Sequence, residues 1–120
     1  MSKSFQSRVH DWTVVCFGER VAANGVERNH GFLEESLELV QSLDRTREQA
    51  HSLLDRVFGR DAGEPWQEVG GVMVTLAALH EARGVDLDLD ESAVTEIAHV
   101  RTKVERIHEK RRTKPHAVLA

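Results

Sequence analysis

"GFLEESLELVQSL", residues 31–43, is the stretch that decides the fold. Its apolar residues, Phe32, Leu33, Leu37, Leu39, Val40 and Leu43, do not alternate as a half-buried strand would require. At about 100° per residue they form one broad arc of a helix. Glu34, Glu38 and Gln41 lie opposite that arc. Glu35 sits at its edge on the side of Glu38, because residues three apart are neighbours on a helix. Two carboxylates are therefore expected together at the border of a core. Like charges there repel and raise one another's pKa unless a cation sits between them.

The same periodicity extends outward in both directions. Phe5, Val9, Trp12 and Cys16 recur at helical spacing, widened by Val14, Phe17 and Val21, and Asn24-Gly25 is expected to stop this first helix. The second runs from near Asn29 to about Leu43. Thr46 with Gln49 is a capping-box pattern opening a third, with Ala50, Leu53, Leu54 and Val57 inward and Gly59 at its end. Pro65 suits the first position of a fourth, closed by Gly84. Asp90 is expected to cap a fifth, carrying Val94, Ile97, Val104 and Ile107. The expectation is an all-α fold of about five helices: a single domain over 1–112 and a flexible basic tail over 113–120, where Pro115 opposes helical continuation.

Composition narrows the function. The 120 residues are 40% hydrophobic and 30% charged with a formal net charge of −4, which fits a soluble helical domain and argues against a general nucleic-acid surface. A lone cysteine, Cys16, cannot form an internal disulfide, so a cytoplasmic location is expected. No signal-peptide pattern is read at the N-terminus. The longest nearly uncharged run, Val69 to Leu79, is too short to span a bilayer, so no membrane partner is expected.

That run follows Glu68. A helix apolar nearly all round is usually central in its domain, which would leave Glu68 partly buried and in need of a partner. Oxygen-rich clusters suit a hard divalent cation, and magnesium keeps several waters for a phosphate-bearing ligand. The bland alternatives are a solvated "ExxE" helix edge and a first-turn glutamate favoured by the helix dipole. Seven histidines show no zinc-ligand spacing.

The order of an "EExxE" helix, a short helix and a second acidic helix resembles the MazG-like, all-α nucleoside triphosphate pyrophosphohydrolase superfamily. Here the first motif reads Glu34-Glu35-Ser36-Leu37-Glu38 and the second Glu68-Val69-Gly70-Gly71, within a similarity spanning roughly Phe32 to Val104. A Gly-x-Asp turn, Gly84-Val85-Asp86, follows. The resemblance implies a MazG-like helical bundle that cleaves a (deoxy)nucleoside triphosphate to monophosphate and pyrophosphate with Mg²⁺, Mn²⁺ being an alternative ion. It implies Glu35, Glu38 and Glu68 as metal ligands and Glu34 as an acidic residue near the attacking water. Of the lysine and asparagine often found on the last helix, Lys103 alone is present. A homodimer or homotetramer is implied as well.

Trp12 could stack on a base and Arg28 could meet phosphate, although core packing and a solvated loop are their plainer readings. The family's aspartate three residues after the second-motif glutamate is Gly71 here. Water could complete the ion's shell, turnover could be weakened, or nucleotide could be bound without hydrolysis by a silent sensor or assembly protein. Close helix packing would also account for Gly70-Gly71. A helix-turn-helix DNA-binding module, suggested by the short Asp44-Arg45 junction, ranks last because few basic residues follow it.

Overall fold

In the structure, a computed structural model, residues 3–85, 88–104, 106, 110 and 112 are described. They contain six helices and no strand: α1 Phe5–Phe17, α2 Glu19–Ala23, α3 Gly25–Ser42, α4 Arg47–Phe58, α5 Pro65–Ala82 and α6 Leu89–Thr102. The expected basic tail, Asp86, Ile107 and most of the chain beyond Val104 lie outside the described residues.

The all-α expectation holds, with six helices rather than five. The first expected helix splits at Gly18, which has φ +92°. Its N–H donates to Val14 O at 2.8 Å, closing α1, and its carbonyl accepts from Ala22 N at 3.2 Å as α2 begins. A side chain would be strained at that φ, so the break belongs to glycine. Asn24-Gly25 is also more than a stop. Asn24 Oδ1 accepts from Glu27 N at 3.1 Å, so Asn24 caps α3 and the helix starts at Gly25, ahead of the expected Asn29.

The other boundaries follow their local chemistry. Thr46 Oγ1 accepts from Gln49 N at 3.2 Å while Gln49 Oε1 accepts from Thr46 N at 2.9 Å, the reciprocal capping box expected for α4. Pro65 occupies the first turn of α5. Gly84, at φ +64°, ends it. Asp90 is not the cap of α6: it lies in the first turn, where its Oδ1 accepts from Glu91 N, and the helix opens with Ser92 N donating to Asp88 O.

The chain divides into two compact units, one of Met1–Val40 with Thr95–Ala120 and one of Gln41–Val94. In the first, Thr13 and Cys16 of α1 and Val100 of α6 are buried. Trp12, Val14, Phe17, Val21 and Ala22 are half-buried around α1 and α2, with Trp12 and Phe17 meeting edge to face at 6.1 Å. Thr13 satisfies its hydroxyl by donating to Val9 O at 2.8 Å.

In the second unit, α4 and α5 contain no buried residue. The expectation that the apolar helix after Pro65 would be central is therefore overturned for the single chain. Its Leu76, Leu79 and His80 are half-buried, and the rest of its side chains face solvent. The turn after α3 is tied to the end of α5: Arg83 Nη2 donates to Leu43 O at 3.3 Å and pairs with Asp44 Oδ2 at 3.4 Å. Asp44 itself adopts φ +74°, a conformation that aspartate tolerates better than most residues. No helix among the described residues is long and apolar enough to cross a membrane.

Candidate functional site

The three glutamates of the first motif share one turn of α3. The helix is continuous from Gly25 to Ser42, so Glu34 and Glu38 stand four residues apart and Glu35 and Glu38 three apart, the spacings that bring side chains together. Glu35 and Glu38 are exposed and Glu34 is half-buried. Ser36, between them, donates its hydroxyl to Phe32 O at 2.8 Å.

The side of α3 that is covered is not the expected one. Glu27, His30, Gly31 and Glu34, at intervals of three and four, form a half-buried stripe, whereas Phe32, Leu33 and Leu37 of the apolar arc are exposed. Glu34 thus lies on a sheltered stripe of the helix, and of the expected arc only Val40 and Leu43 are half-buried.

Arg28 and His30 lie inside α3 rather than in a loop before it. Arg28 pairs with Glu27 at 3.4 Å. Partial burial lowers its pKa from the ordinary guanidinium value, yet a guanidinium stays charged. Trp12 is half-buried on α1, with its indole Nε1 buried and without a hydrogen-bond partner. Lys103 is exposed one residue past α6, its backbone N–H donating to Val100 O at 3.0 Å. These residues all belong to the first unit.

Glu68 belongs to the second. It is exposed, contrary to the burial expected of it. Its carboxylate folds back over the loop before α5: a Cβ placed on Gly63 would lie 2.5 Å from Glu68 Oε1. At the start of a helix the dipole favours such a charge. At Gly70 and Gly71 a Cβ would meet nothing within 4 Å, so close packing inside the chain does not account for either glycine. Thr75, one turn beyond Gly71, donates its hydroxyl back to Gly71 O at 2.9 Å.

Comparison with protein-family models, curated proteins and solved structures found no match. The chemistry of the site therefore rests on its own donors. Among the described residues, no group of three or more His, Cys, Asp or Glu side chains is placed to hold a metal ion. Magnesium does not require such a cage. It is commonly held by one or two carboxylates together with waters and substrate phosphates. The all-oxygen donors of Glu35 and Glu38, one turn apart and open to solvent, fit that ion's chemistry; a softer ion would favour imidazole or thiolate.

Sequence periodicity missed two features. His80 Nε2 is buried without a hydrogen-bond partner; its spacing from Leu76 would have placed it on the sheltered stripe of α5. The Gly63–Glu68 approach had no signal beyond a glycine five residues before a helical glutamate.

Proposed function

We propose that the protein is a Mg²⁺-dependent nucleotide pyrophosphohydrolase, converting a (deoxy)nucleoside triphosphate to the monophosphate and pyrophosphate. The observation that carries the reading is the single turn of α3 that presents Glu35 and Glu38 to solvent and Glu34 on the sheltered side. Magnesium, when bound, would supply charge neutralisation of the phosphates and a more acidic water.

The candidate residues would divide that chemistry among them. Glu35 and Glu38 would hold the ion between them, their like charges at i and i+3 favouring a cation there. Glu34 would accept a hydrogen bond from the attacking water and orient it toward the phosphorus between the α- and β-phosphates. Arg28, one and a half turns earlier on α3, would exchange part of its pairing with Glu27 for a phosphate oxygen. Lys103 would contribute a cation for the phosphate chain. Trp12 would offer a ring face to the base.

Gly71 favours a second reading, a helical nucleotide-binding protein with little or no turnover. The resembling family has a carboxylate at this position, and Thr75 is engaged with the backbone rather than replacing it.

The test is a magnesium-dependent screen of nucleoside triphosphates with monophosphate and pyrophosphate detected separately. Release of both in equal amounts supports the enzyme. Saturable binding without either product supports the second reading. Neither binding nor turnover would overturn both.

A further inference from the structure

Asn24-Gly25 is the one asparagine–glycine pair of the chain; the other asparagine, Asn29, is followed by His30. An asparagine before glycine carries chemistry of its own, because no side chain shields the glycine amide. That nitrogen, once it has lost its proton to hydroxide, can attack the asparagine Cγ and close a five-membered imide. The Cγ–Nδ2 bond breaks, and Nδ2 leaves as ammonia with a proton taken from water, which regenerates the hydroxide. Water then opens the imide at one of its two carbonyls, leaving aspartate or isoaspartate at position 24. Water is the only reagent consumed.

The fold has one reaction partner ready and holds the other back. Gly25 is exposed, and its N–H has no backbone acceptor among the described residues, as is usual in the first turn of a helix. Asn24 is half-buried and turned away from it. Ring closure needs the Asn24 Cβ and the Gly25 nitrogen eclipsed about the Asn24 Cα–C bond, whereas a ψ of 93° puts them on nearly opposite sides. The start of α3 keeps them there. Asn24 O accepts from Arg28 N at 2.9 Å, which fixes ψ. Asn24 Oδ1 accepts from Glu27 N at 3.1 Å, and Nδ2 lies 3.5 Å from Glu27 Oε2, which together fix the side chain.

We propose that Asn24-Gly25 is a spontaneous deamidation site gated by the α3 cap. It is protected while Asn24 caps the helix and reacts when the first turn opens. Openings of this kind, confined to a helix end, need far less than global unfolding. The product does not revert, so the site keeps a record of opening. Aspartate retains an acceptor for Glu27 N but sets a second carboxylate beside that of Glu27. Isoaspartate reroutes the main chain through Cγ and leaves no side chain in position to cap α3. The proposal is independent of the nucleotide chemistry.

The test is incubation of the full-length chain at mildly alkaline pH, native and in urea sufficient to unfold it. Mass spectrometry of the peptides containing Asn24 and Asn29 follows the conversion and separates aspartate from isoaspartate. Native Asn24 should convert about fivefold or more slowly than unfolded Asn24, the factor by which a helix cap holds its first turn closed. In urea both products should appear at Asn24, and Asn29 should lag behind it. Gly25→Ala should fold, since a Cβ there meets nothing within 4 Å, and should lose most of the conversion in urea because its methyl shields the nitrogen. Equal rates in the native and unfolded chain overturn the gating. An unreactive Asn24 in urea, or equal conversion there by Gly25→Ala and the wild type, overturns the site itself.

Discussion

Glu68 lies folded over Gly63, so close that a Cβ on Gly63 would come within 2.5 Å of its Oε1. The glycine leaves room for the carboxylate beside the first turn of α5, where backbone N–H groups and the helix dipole favour negative charge. Gly63→Ala is expected to push this flexible side chain aside at a cost under about 1 kcal/mol. Glu68→Gln should cost about 0.3–1 kcal/mol at low ionic strength and less at high salt. Urea denaturation at two salt concentrations measures both; a Glu68→Gln penalty independent of salt would contradict the dipole explanation.

The capping box of α4 should be a separable element of stability. Thr46→Ala removes the acceptor for Gln49 N and is expected to cost about 1 kcal/mol. The loss should appear as a lower urea midpoint with an unchanged slope. Thr46→Ser, which keeps the hydroxyl, should recover most of it.

A pH effect is expected at the N-terminus of α1. The hydrogen bond from Lys3 holds the Asp11 carboxyl below its ordinary pKa. A depressed carboxyl favours the fold above its unfolded pKa of about 3.9 and loses that contribution as pH falls through the folded value. Lys3→Ala should move the Asp11 titration upward toward the ordinary range, as read by NMR of its side-chain carboxyl carbon. Both groups are largely exposed, so the accompanying change in stability should be small and screened by salt.

Gly71→Asp should fold normally, because a Cβ there meets nothing within 4 Å. Its stability, read from thermal unfolding, is expected to change by no more than about 0.5 kcal/mol, as for an exposed substitution. If the absent carboxylate limits turnover, the variant should bind Mg²⁺ more tightly and release pyrophosphate faster. A well-folded variant with unchanged magnesium affinity would show that position 71 does not face the ion.

The parts of the fold that were legible in the sequence are those governed by local chemistry. The Thr46–Gln49 pair, Pro65, Gly59 and Gly84 each act within one turn, and each marks a helix boundary as expected. The break at Gly18 was not legible, because a glycine in a helical pattern carries no mark of whether it adopts positive φ. The harder failure concerns α3. Periodicity assigned Phe32, Leu33 and Leu37 to one face, but it cannot say what that face meets. The structure shelters Glu27, His30 and Glu34 and leaves Phe32, Leu33 and Leu37 exposed. Burial depends on neighbours remote in sequence, or on another molecule, and neither is encoded in the spacing. The candidate site was legible to the same extent: the shared turn of Glu34, Glu35 and Glu38 follows from spacing, whereas the shelter of Glu34 and the exposure of Glu68 do not.

The central claim is that Glu35 and Glu38 hold the ion on which triphosphate cleavage depends. Its most direct measurement is magnesium-dependent pyrophosphate release by the wild type and Glu38→Gln, compared at equal helix content and equal mass. The wild type is expected to turn over at least one nucleoside triphosphate, and Glu38→Gln, an exposed substitution that should leave the fold intact, to lose about 100-fold or more, as removal of a group that stabilises transition-state charge does. Equal pyrophosphate release by the two proteins would contradict the claim and leave the acidic turn of α3 as a solvated helix edge.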